Sequence, residues 1–166
     1  TATIQDLMQS EVDPSADFLW DSVAIISSPA GIEERQPRTE EEWKEARHRA
    51  ITLAEAANLL VMEGRHVAAE GKALEDSHVE GILTAPKIQQ IIDSDRGKFI
   101  ERAHVLHDAG LAAIAAIDSK SPAALIAAGA AIDEASEQCH LIYWYPTSPR
   151  PTPTATAASA ARDGKP

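Results

Sequence analysis

Apolar residues recur at three- and four-residue spacing over four stretches of this chain, as they do on amphipathic helices. The first stretch, residues 3–26, places Ile4, Leu7 and Met8 on one face and continues with Leu19, Trp20 and Val23. Asp13-Pro14 interrupts it; Asp13 as an N-cap with Pro14 at the first helical position predicts a kink or a restart. Residues 27–38 carry Pro29, Gly31 and Pro37 and read as a loop. The second stretch opens on Thr39-Glu40-Glu41-Glu42, a capping box whose acidic run faces the positive end of the helix dipole. Trp43, Ala46, Ala50, Leu53, Ala57, Leu60 and Val61 form its apolar stripe, and Gly64 is a natural stop.

The pattern weakens over residues 65–85, which contain Gly71 and Gly81 and predict a long connection with room for one short helical turn. The third stretch, 86–117, is striped by Ile88, Ile92, Phe99, Ala103, Leu106, Gly110, Ala113 and Ile117. In the fourth, Ser121 is the N-cap and Pro122 takes the first helical position. Its stripe runs through Leu125, Gly129 and Ile132 to Ser136, Cys139, His140 and Tyr143, and Pro146 ends it. Residues 147–166 are rich in Pro, Thr, Ala and Ser, have no apolar period, and are expected to be disordered or held by a partner. The expected architecture is all-α: an antiparallel four-helix bundle over residues 1–146, followed by the tail.

Composition agrees with helices. Of 166 residues, 44% are hydrophobic but only 4% aromatic, and alanine, the best helix former, is abundant. Fifteen basic residues against 26 acidic ones give a net charge of −11, which argues against nucleic acid or an anionic membrane as partner. No run of apolar residues is long enough to insert in a membrane. The single cysteine, Cys139, excludes an internal disulfide framework and a thiolate zinc cage. The sequence opens at Thr1 without a signal peptide; either one has been removed or the chain starts there.

Five of the six histidines follow a glutamate by three residues, as in Glu45/His48 and Glu101/His104. Glu-x-x-His is the ligand spacing of di-iron bundles, whose ligands must point inward. On a helical wheel, however, Glu45 and His48 lie opposite the Trp43/Ala50/Leu53 stripe, and Glu101 and His104 lie opposite Phe99 and Leu106. These pairs therefore read as solvated surface groups. His104 and His107, three residues apart, have no visible further ligands. No arrangement of residues points to an enzyme.

The fourth stretch differs, because a thiol and an imidazole share the apolar face. Ser136-Glu137-Gln138-Cys139-His140 has the spacing of the c-type haem motif C-x-x-C-H, with serine in place of the first cysteine. Other segments extend the pattern: Asp13-Pro14-Ser15-Ala16, Trp20-Asp21-Ser22-Val23, Ala54-Glu55-Ala56-Ala57-Asn58-Leu59-Leu60, Gly64-Arg65, and Cys139-His140-Leu141-Ile142-Tyr143-Trp144-Tyr145-Pro146. Over residues 4–146 the chain resembles the cytochrome c′ family of periplasmic four-helix-bundle proteins, in which a tyrosine commonly follows the haem-ligating histidine by three residues, as Tyr143 does here.

The resemblance implies an exported, periplasmic monohaem protein that transfers electrons to a redox partner or binds a small gas. His140 would be the proximal iron ligand and Cys139 the thioether anchor, in a haem-sized space between the first and fourth helices. Met8 would be a sixth ligand or a packed core residue, and Leu7 an apolar cover over five-coordinate iron. Arg65 would pair with a haem propionate or form a surface ion pair. The resemblance also implies a homodimer through the first two helices. Two departures stand out: Ser136 permits at most one thioether, and Trp144 replaces a basic residue that often follows the tyrosine. Ser136 leaves a haem c with one thioether, a noncovalent haem and a relative that has lost haem all open. The alternative is a haem-free helical bundle acting as a binding or structural subunit, with Tyr143-Trp144-Tyr145 as an exposed aromatic anchor.

Overall fold

A computed structural model describes residues 1–29 and 31–146, so the expectation for the tail lies outside the described residues. Thr3 caps a short first helix, α1 (Ile4–Leu7), in a reciprocal capping box with Asp6. The chain then widens into a π-turn (Met8–Val12) and re-forms as α2 (Asp13–Ser22). Asp13 is itself helical and its N–H donates to the Met8 carbonyl, so it is not the cap expected of it. The physical cause is Pro14. Its ring crowds the carbonyl four residues back and it brings no N–H, and the wide turn just before it absorbs that mismatch without breaking the helix.

The first helical stretch ends four residues sooner than its apolar pattern suggests. Val23 is already extended, and β1 (Ala24–Ser28) pairs antiparallel with β2 (Gly31–Arg35). The expectation of a purely α-helical fold is thereby corrected. The β-branched run Val23, Ile25 and Ile26, followed by a proline turn, favours a hairpin, and Gly31 at φ +134° adopts a conformation that L side chains rarely take.

The capping box at Thr39 starts α3 (Glu40–Leu60) as expected. The connection that follows, residues 61–84, contains turns but no helix. It is nonetheless anchored: Val67 and Leu74 are buried, and the Ile4 and Gln5 amides donate to the His66 and Val67 carbonyls at 2.9 and 3.0 Å. The third stretch is two helices, α4 (Ala85–Ser94) and α5 (Arg96–Asp118). At Asp95 the backbone leaves the helical region and the side chain accepts the Lys98 amide at 3.0 Å. Asp93-Ser94-Asp95 is a run of short polar side chains that compete for backbone hydrogen bonds, which is the local reason for the break.

Ser121 and Pro122 start α6 (Pro122–Tyr143) as expected. Between α5 and α6 the chain turns through Lys120, the one described non-glycine residue with positive φ, at +48°. Lys120 N–H donates to Ile117 and Ser121 N–H to Ala116, a Schellman-type closure with lysine where glycine is usual. Helix α3 packs on α5, α5 on α6, and α2 on both α3 and α6. Gly110 permits the closest approach, since a Cβ there would lie 3.0 Å from the Ala54 backbone. One apolar cluster joins α2, α3, α5 and α6 around Leu19, Trp43, Leu53, Leu125 and Ile132. A second lies at the other end, around Ile4, Ile88, Ile92, Phe99 and Tyr143, and Met8 packs against both.

Candidate functional site

Where the two clusters meet, the side chains of Met8, Arg102, Ser136, Cys139, His140 and Trp144 line a small cavity whose remaining walls are mostly aliphatic. Each wall has a local cause. Met8 opens the π-turn, so Pro14 sets the backbone that carries it. Ser136, Cys139 and His140 lie at i, i+3 and i+4 on α6 and therefore share one side of that helix. Arg102 and Leu106 come from the facing helix α5, also four residues apart.

The sequence-predicted residues divide accordingly. Met8, Cys139 and His140 come together at the cavity, between the first segment and α6 as expected. Leu7 is buried in the second cluster but is not a wall residue. Tyr143, 1% exposed, turns its ring edge-on to Phe99 with centroids 5.5 Å apart. Trp144 and Tyr145 are half-buried, so the three consecutive aromatic residues do not form the exposed anchor that the alternative reading used. Arg65 is neither a surface ion pair nor a cavity residue. Only 6% exposed, it donates from Nε to the Leu59 carbonyl at 2.7 Å and from Nη1 to the Ala2 carbonyl. Its work is to fasten the amino-terminal segment to the end of α3.

Arg102 was missed in the sequence, where it reads as one more charge on a polar face. Its signal was spacing, because it falls three residues after Phe99 and four before Leu106 on the buried stripe. Nη2 meets Glu101 at 2.9 Å, while Nε is buried without a hydrogen bond among the described residues. The Tyr143 hydroxyl is likewise buried and unbonded. Glu137 accepts the Tyr145 hydroxyl at 2.8 Å through one oxygen, and its other oxygen is buried without a partner.

Burial sets the protonation states. It pushes the Cys139 thiol up to about 11, with Arg102 pulling weakly the other way, so the group is a protonated thiol at neutral pH. Burial also lowers the His140 pKa, against the opposing pull of Glu137 and Asp76, so the imidazole is neutral at pH 7 and keeps a free lone pair. Elsewhere Glu45 and His48 point to solvent, with their side chains 45% and 57% exposed, as the wheel predicted. Among the described residues no three His, Cys, Asp or Glu side chains converge as a metal cluster.

Comparison of the chain with protein-family models, with curated proteins and with solved structures finds no match. The site is therefore judged on its own chemistry. A neutral imidazole next to a thiol, with a methionine in the same cavity, is a donor set that suits haem iron and one vinyl group. As its side chains stand, the enclosed space is about 20 Å³, enough for one water. The apolar side chains of Ile4, Leu60 and Leu106 close it.

Proposed function

We propose that this chain is a c-type haem-binding protein of the cytochrome c′-like kind, its four main helices α2, α3, α5 and α6 forming an antiparallel bundle. One observation carries the reading: Cys139 and His140, adjacent in sequence, face the same interior cavity as Met8. His140 would ligate iron through its neutral imidazole, and Cys139 would anchor one vinyl through a thioether. Ser136 offers a hydroxyl, which does not form that bond, so one vinyl stays unlinked. When bound, haem would supply reversible one-electron chemistry or a coordination site for a small gas. Met8 would decide between these uses: its thioether would ligate iron in an electron carrier, or its side chain would pack in the core of a gas-binding protein. Covalent attachment would require export, so the proposal includes a periplasmic location.

Expression in an exporting host with c-type haem maturation tests the reading. A coloured protein whose denatured mass carries one haem, lost on Cys139→Ala, is the expected result. Absorption spectra of Met8→Leu and of the reduced protein with nitric oxide then separate the two uses. A colourless protein with the bare polypeptide mass, and no Soret band on titration with hemin, overturns the proposal.

A second reading is a haem-free helical protein that binds or supports another subunit, and the closed cavity together with Ser136 favours it. Cys139 labelling distinguishes the two. A haem-free chain alkylates slowly with iodoacetamide when folded, since its thiol is half-buried and protonated, and fully in denaturant. A chain with a thioether at Cys139 alkylates in neither state.

A further inference from the structure

The hairpin stands outside both apolar clusters: none of its described residues from Ala24 to Arg35 belongs to either. Every residue of β2 is exposed, and β1 is at most half-buried. A two-stranded ribbon that contributes nothing to the core is only marginally stable in water. This one also displays Ile25 and Ile32, 68% and 73% exposed. Ile25 pairs with Glu34 and Ser27 with Ile32, so the two isoleucines lie diagonally on one face.

The two outer edges are chemically unlike. β2 carries Glu33, Glu34 and Arg35, the charges with which natural sheets protect a free edge. β1 reads Ala24-Ile25-Ile26-Ser27-Ser28, with no charge and no proline, and is unprotected. We infer that the unprotected β1 edge is a homodimer interface, pairing antiparallel with β1 of a second copy about a two-fold axis. The product is a four-stranded sheet in the order β2-β1-β1-β2. It buries both unprotected edges, leaves both charged strands outside, and joins the Ile25/Ile32 patches of the two copies on one face.

The charge pattern selects this occupant and register. A β1–β1 ladder contains no charged residue, whereas a β2–β2 ladder would set glutamates of the two copies against each other. A two-fold pairing also closes, so it ends at a dimer and leaves no edge for a filament. It differs from the interface through the first two helices that the cytochrome c′ resemblance implies. The net charge of −11 on each chain opposes association, and salt screens it beyond about 8–10 Å. Dimerisation should therefore strengthen as salt rises.

Sedimentation equilibrium of the full chain over a range of concentrations and salt is the test, with Ile25→Lys and Glu33→Ala as variants. Ile25→Lys charges the β1 edge yet faces Glu34 within its own hairpin, which preserves the ribbon. The expected result is a monomer–dimer equilibrium that Ile25→Lys weakens about tenfold or more and that Glu33→Ala, which removes one repelling charge, does not weaken. Hydrogen exchange on the wild-type chain should show β1 amides becoming protected as concentration rises. A monomer at every concentration, a dimer indifferent to Ile25→Lys, or one weakened by Glu33→Ala overturns the inference.

Discussion

The Trp20 indole donates to the Gly129 carbonyl at 3.0 Å, and a Cβ on Gly129 would lie 3.1 Å from Trp20 Cδ1. The two residues therefore specify each other: the glycine makes room for the ring whose N–H it accepts, and together they hold α2 on α6. Trp20→Phe should destabilise the protein by about 1–2 kcal/mol, from one lost hydrogen bond and a smaller ring. Gly129→Ala should destabilise the wild type more than it does the Trp20→Phe variant. A denaturant double-mutant cycle should return a coupling of about 0.5 kcal/mol or more, and strict additivity would contradict the contact.

Arg65 holds two backbone carbonyls from opposite ends of the amino-terminal half. Arg65→Ala is expected to lower stability by about 2–3 kcal/mol, because charge-assisted bonds are lost and their acceptors stay partly buried. Lysine lacks the planar fork and should restore less than half of that. Urea unfolding of the two variants checks both values.

Lys120 in the left-handed region carries a conformational cost of about 1–2 kcal/mol that glycine does not. Lys120→Gly also loosens the unfolded chain, an opposing effect of about 0.5–1 kcal/mol. The exposed ion pair of Lys120 with Glu40 contributes little. The net expectation is a gain of up to about 1 kcal/mol, readable as a higher melting temperature; a loss would count against strain at this turn.

His140 has its pKa lowered by burial, so the folded state prefers the neutral imidazole. The stability this contributes is complete above the unfolded value of about 6.5 and is lost as pH falls through the folded one. His140→Asn should therefore flatten the decline in stability between pH 7 and pH 5. In the haem-free chain, proton NMR should place the His140 midpoint below 6.5, and a midpoint above it would reverse the sign.

Helix position was legible in this sequence wherever a stripe and a cap agreed, as at Thr39 and Ser121, and the buried faces of α3, α5 and α6 follow the predicted stripes. The hairpin was not, because Ile26 continues the helical period while its β-branched neighbours favour extension, and the two signals conflict over the same residues. Asp95 escaped notice because a cap on a polar face looks like any surface carboxylate. At the candidate site, Cys139 and His140 were legible from their stripe, whereas Arg102 and the closed volume depend on how α5 meets α6. Arg65 was assigned by analogy with a family, and its carbonyl partners are 6 and 63 residues away.

The backbone bonds from Ile4 and Gln5 to His66 and Val67, with the Arg65 clasp on Ala2, impose an order on assembly. Residues 2–5 have no settled place until a segment some 60 residues later exists and has turned back on α3. Until then that segment stays without its partners, whatever the hairpin and α3 have already formed. Closing so long a loop is slow beside the winding of the helices themselves. The wall of the cavity that bears Met8 is therefore among the last parts of the molecule to come to rest.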